Sequence, residues 1–143
     1  MDAADRIILK NLSCNARISL KQLAQEVYLS SPAISARIER LEKKGVIKGY
    51  QAILDHEALG FHILAFVNIA TAPEKKSAVI EYAANCQNVL ECHHVTGAYS
   101  LMFKVCFSTT VDLEAFVGHL QNYGKTETQV VFSTPIEPRQ IVE

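Results

Sequence analysis

The chain has 143 residues, 49% of them hydrophobic and 20% charged, with a formal net charge of −1. That length suits one domain or two small ones, and the composition excludes a disordered or fibrous chain. No apolar run approaches the roughly 18 residues of a membrane span, and the opening MDAADRIILK, acids first, lacks a secretory pattern, so the expected location is cytoplasmic.

The small net charge hides an asymmetry. Residues 1–49 hold nine Lys/Arg against five acids, giving +4, and residues 50–143 hold five against ten, giving −5. A basic half joined to an acidic half suggests two domains, the first suited to a polyanion. The cysteines at 14, 86, 92 and 106 show no C-x-x-C spacing, and the last three lie in apolar patterns, so they are read as buried reduced thiols.

Residues 2–13 read as a helix capped by Asp2, with Ile8, Leu9 and Leu12 at helical spacing. Ser19 opens a Ser-x-x-Gln capping box, and Leu20, Leu23, Ala24 and Val27 mark one face of a short second helix. Tyr28-Leu29 leaves room only for a tight turn. Ser30 or Ser31 then caps a third helix, with Pro32 in its first turn and Gly45 as its stop.

On this third helix Ile34, Ile38 and Leu41 share one side. Pro32, Ala36, Arg40 and Lys43 lie opposite, with Ser35 and Arg37 on the flanks. Three short helices with a tight second joint describe a helix-turn-helix. The small residues at the N-terminal end of the third helix let it enter a groove. Its hydroxyls and free N–H groups suit phosphates, and Arg37 and Arg40 suit phosphates or guanine edges.

Val46, Ile47 and residues 50–54 read as extended chain. Residues 61–70 read as a strand, Pro73 to about Cys86 as a helix, and 89–96 as a strand. After a turn at Gly97 come a strand at 100–107, a helix carrying Leu113, Phe116, Val117 and Leu120, and a last strand at 127–134. The order βαββαβ matches the ferredoxin-like split arrangement, giving an α+β protein with a helical head.

Both faces of this sheet carry apolar residues: Ile63, Ala65, Val67 and Ile69 against Leu64 and Phe66 on the first strand. Two helices cover one face only, so the other predicts a homodimer. A two-fold pair would also present two reading helices.

Asp5-x-x-Ile8-Leu9, Arg17-Ile18-Ser19, Leu23-Ala24, Leu29-Ser30, Arg37-Ile38-x-Arg40-Leu41-Glu42-x-x-Gly45-Val46-Ile47, Leu59-Gly60 and Val95-Thr96-Gly97 together resemble the Lrp/AsnC transcription regulators. The likeness runs over essentially the whole chain. It implies a DNA-binding helix-turn-helix of winged or plain type over 1–49, a linker strand and hinge over 50–60, and a ferredoxin-like domain over 61–143 that dimerises and binds an effector.

The same resemblance implies dimers assembling to octamers, and an amino-acid effector near the turn between the second and third sheet strands. It puts the DNA-reading residues on Ser30, Ser31, Pro32, Ser35, Ala36, Arg37 and Arg40. Base edges are expected to fall to Ser35, Ala36 and Arg40, and phosphates mostly to Ser31, Arg37 and Lys43.

Two positions depart from the family pattern. Tyr28 stands where the family usually has glycine, which predicts a slightly different turn rather than a left-handed tyrosine. The effector turn reads Gly97-Ala98-Tyr99-Ser100 in place of Gly-Asp-Tyr-Asp, so both acids that would meet an ammonium are gone. The backbone at Gly97 and Ala98, with the hydroxyls of Thr96 and Ser100, can still hold a carboxylate. A different effector, weak amino-acid binding and no effector all stay open.

Cys92-His93-His94 does not predict a metal site, because neighbours on a strand point to opposite faces. No nucleophile-base arrangement or phosphate-cradling loop is present, so no catalytic residues, cofactor or enzyme activity are expected. The reading is a sequence-specific DNA-binding transcription regulator. The alternatives are a ferredoxin-like small-molecule enzyme or carrier, and an architectural protein that wraps DNA.

Overall fold

The computed structural model describes residues 1–142. The chain forms two compact units: Met1–Ile53 with the segment from Ile136 onward, and Leu54–Pro135. Residues 54–60, assigned to the link by sequence, thus go with the sheet, and the segment from 136 goes with the helices.

The first unit is built from α1 (Ala3–Cys14), α2 (Leu20–Val27) and α3 (Ser31–Lys43). Each start is fixed by a side-chain cap. Asp2 and Asp5 cap each other's backbone on α1, and Ser19 and Gln22 do so on α2. Ser30, not Ser31, caps α3, accepting from the Ala33 N–H at 3.4 Å.

The end of α3 is a Schellman turn. Gly45 adopts φ +69°, and the Val46 and Gly45 N–H groups donate to the Leu41 and Glu42 carbonyls at 3.0 and 2.8 Å. Ile8, Leu23 and Ile34, one from each helix, form the fully buried centre, ringed by Leu12, Ile18, Ala24, Val27, Leu29 and Ile38.

The joint between α2 and α3 differs from expectation. Tyr28 is left-handed, with φ 56° and ψ 41°, and its ring is 93% exposed. The turn keeps the conformation a glycine would take, because Leu29 must donate back to the Ala24 carbonyl, at 3.1 Å, while turning into the core. Val46, Ile47 and residues 50–54, read as extended, join no β-ladder, and Ile53 and Leu54 are exposed.

The second unit holds β1 (Ile63–Thr71), a 3-10 turn (Pro73–Lys75), α4 (Lys76–Ala84), β2 (Val89–His94), β3 (Leu101–Phe107), α5 (Thr110–Gln121) and β4 (Gly124–Val130). The strands order β2-β3-β1-β4, and every neighbouring pair is antiparallel. Val79 and Ala83 of α4, with Leu113, Phe116 and Leu120 of α5, pack on Ala65, Val67, Ile69, Leu101, Phe103, Val105 and Phe107.

Strand β4 begins at Gly124, three residues before the apolar run suggested. Its pairing with β1 is set by backbone hydrogen bonds, and its side chains at this edge are mostly exposed and polar. A Cβ at Gly124 would sit 2.0 Å from the Ala70 carbonyl oxygen, so the crossing requires glycine. The 3-10 start and earlier end of the first sheet helix are further small departures. Cys106 is buried, but Cys92, read as buried, is exposed because β2 is an edge strand.

The register sorts the sheet faces. Leu64, Phe66, Asn68 and Ala70 share one face with Met102, Lys104 and Cys106, with Glu91 and His93, and with Lys125, Glu127 and Gln129. Neither Leu64, Phe66 nor Met102 joins the core beneath the helices. This face mixes apolar Leu64, Phe66 and Met102 with Asn68 and Lys104 on the central strands, and Glu91 of the edge strand contacts His93 at 2.9 Å and Lys104 at 3.1 Å. Those two hydrogen bonds, His93 first, hold the Glu91 carboxyl below its usual value despite partial burial.

Candidate functional site

At 100° per residue, Ile34, Ile38 and Leu41 define the inward side of α3. Pro32, Ala36, Glu39 and Lys43 point away from it and are exposed. Ser30 and Ser31 stand at the N-terminal end, and Ser35 lies on one flank, its hydroxyl donating to Glu39 at 3.5 Å. This outward side is narrow and small-residued at its start, with a cation at its end. It can enter a major groove without steric conflict.

Arg37 and Arg40 occupy the other flank, and both are engaged. Arg37 Nη1 donates to Asp2 Oδ2 at 2.7 Å and to Asp5 Oδ1 at 2.8 Å. Arg40 Nη2 reaches both Asp5 oxygens at 2.9 Å. The Asp5 side chain is only 2% exposed, whereas Arg40 is 48% exposed and Arg37 25%. The two arginines expected to reach outward are thus turned back toward α1.

The electrostatics follow from the geometry. Burial pushes the Asp5 carboxyl up, but the Arg37 hydrogen bond, the Asp2 amide and the Arg40 charge outweigh it and hold it below the usual range. The Asp5 amide and then Arg37 lower Asp2, and Arg37 in turn is raised by Asp2 and Asp5.

Sequence reasoning assigned Asp2 only to a cap and gave Asp5 no site role. The available signal was a pair of acids three apart at the start of α1 and a pair of arginines three apart on α3. Glu39, an acceptor on the outward side, was also passed over.

In the second unit, Thr96, Gly97, Ala98, Tyr99 and Ser100 do come together. With Ala70, Thr71 and Val95 they line an open hollow of about 410 Å³ at the β2–β3 turn. The Ser100 hydroxyl, expected to face a ligand, is tied to β1 instead. It accepts from the Thr71 N–H at 3.0 Å and lies 3.2 and 3.3 Å from the Ile69 and Thr71 carbonyls. Tyr99 donates its phenolic proton to Glu127 at 2.8 Å, a bond that raises its pKa. No lining residue carries a charged side chain.

Cys92 and His94 pair with Phe103 and Leu101, while His93 pairs with Met102 on the opposite face, as strand alternation requires. His94 Nε2 lies 2.9 Å from Lys76 Nζ. Among the described residues no helix is long and apolar enough to cross a membrane.

Residues 1–48 match the family model for winged helix-turn-helix DNA-binding, and residues 64–141 that for the Lrp/AsnC ligand binding domain. YezC of Bacillus subtilis, an uncharacterized HTH-type transcriptional regulator, is 37% identical over 94% of this chain and 95% of its own length. The structure of B. subtilis LrpC superposes with a TM-score of 0.90 at 26% identity, covering 96% of this chain and 99% of that one. A feast or famine regulatory protein of M. tuberculosis complexed with L-methionine gives 0.89 at 29% identity, covering 99% of each.

Proposed function

The chain belongs to the Lrp/AsnC family of transcription regulators, a DNA-binding helix-turn-helix joined to a ligand-binding sheet domain, and on that premise we propose how it works. Helix α3 seats its N-terminal half in the major groove. Ser35 and Ala36 meet base edges, and Ser30, Ser31, Pro32 and Lys43 lie along the phosphates. The observation that carries this reading is α3 itself: capped by Ser30, propped by α1 and α2, small-residued outward and basic at its end.

The open sheet face, apolar at Leu64, Phe66 and Met102, pairs two copies, and dimers build toward an octamer in the cytoplasm. The role is regulatory, with no catalysis. The hollow at Thr96–Ser100 takes a small effector through backbone groups and the Thr96 hydroxyl. Its uncharged lining offers no counter-charge to an ammonium group, so amino acids bind weakly or give way to another ligand.

Selection of bound fragments from random DNA, with and without a mixture of amino acids, tests both halves. One recurring two-fold motif is expected. Uniform retention of all fragments would indicate an architectural DNA wrapper, and no retention would favour a carrier or enzyme.

A further inference from the structure

The four charged groups between α1 and α3 form a closed set. Asp5 is buried and takes three guanidinium hydrogen bonds, and Asp2 takes a fourth, all between 2.7 and 2.9 Å. The set bridges residues more than thirty positions apart, beside the apolar cluster to which Ile8 of α1 and Ile34 of α3 belong. A buried carboxylate satisfied by two arginines is costly to leave with either partner removed. Four short charge-assisted hydrogen bonds converging from two turns of α3 also restrict the range of helix–helix angles.

We propose that Arg37 and Arg40 are positioning residues, locked with Asp2 and Asp5 into a clamp that sets the angle of α3, and that neither reads a base. Base discrimination falls to the uncharged Ser35 and Ala36. Arg40 keeps donors exposed to solvent, but its Nη2 is held on Asp5 of α1, away from the side that faces the groove floor. The inference rests on the DNA-reading role proposed above and refines it.

The test uses the full-length protein and the operator obtained by selection. Affinity, salt slope and base preference at each position are measured for Asp5→Asn, Arg37→Gln, Arg40→Gln and the double variant Asp5→Asn/Arg40→Gln. The clamp predicts about a tenfold loss for Asp5→Asn and for Arg40→Gln, with the double variant losing about the same tenfold, not a hundredfold. It also predicts unchanged base preference at every position and an unchanged salt slope for Arg37→Gln.

Relaxed preference at one base position in Arg40→Gln overturns it. So does a salt slope lowered by about 1 per subunit in Arg37→Gln, the mark of a lost phosphate contact. Operator binding by Asp5→Asn as tight as the parent's overturns it as well, since that would mean freed arginines serve DNA. If circular dichroism shows that Asp5→Asn has lost helix, the two arginine variants decide alone, because base preference and salt slope do not follow from stability. Failure of the unsubstituted chain to bind any duplex would instead sink the DNA-reading role.

Discussion

Tyr28 sits in a region of backbone space that a side chain with a Cβ enters at a cost of about 1–2 kcal/mol. Its ring is 93% exposed and gives little packing in return. Glycine there would remove the strain but widen the unfolded ensemble, at about 0.5–1 kcal/mol. Tyr28→Gly is therefore expected to raise stability by about 0.5–1 kcal/mol in denaturant titration, and a clear loss would mean the ring makes a contact in the assembled protein. Asp5 sets an acid limit on the same unit. Its pKa is lowered from 3.8 on folding, so its stabilisation is full above that value and disappears as pH falls through the still lower folded value. Acid titration of helix content should show a limb below about pH 4 that Asp5→Asn flattens.

At the scale of elements, the caps were the most legible feature: Asp2, Ser19 and Gly45 each stand where a helix begins or ends, for reasons local to a few residues. The apolar faces of α3, β1 and β3 were legible for the same reason, since period and burial coincide there, whereas on α2 Leu20 of the apolar face is exposed. Strand β4 was not. Its polar Lys125–Gln129 stretch is held by the β1 ladder, a long-range pairing that no local pattern encodes. That residues 96–100 cluster was legible, but Ser100 bonds to a strand some thirty residues away, which its sequence neighbours do not reveal. The partners of Arg37 and Arg40 were hidden likewise: they lie at the start of α1, and helical phase alone cannot tell an arginine facing water from one facing a carboxylate. At the crossing of β1 and β4, Gly124→Ala should destabilise the sheet unit by about 1–3 kcal/mol or more, because the carbonyl it meets is backbone and cannot step aside. Wild-type stability in thermal unfolding would show that β4 can shift its register.

At the scale of the whole molecule, the proposed regulation needs two readers and a platform that pairs them. In that proposal the platform is the sheet face with Leu64, Phe66 and Met102 at its centre beside Asn68 and Lys104, and with Glu91, His93 and Glu127 on the edge strands. Phe66→Glu places a charge in that centre. It is expected to lower the mass seen by light scattering to that of one chain and to abolish binding to a two-fold operator; an unchanged mass would move the interface elsewhere. The central claim is that α3 discriminates among DNA sequences. Its most direct measurement is titration of the selected operator against random duplex at one fixed, physiological salt concentration. Tighter binding to the operator by about a thousandfold or more is predicted. Equal affinity for both duplexes would contradict it.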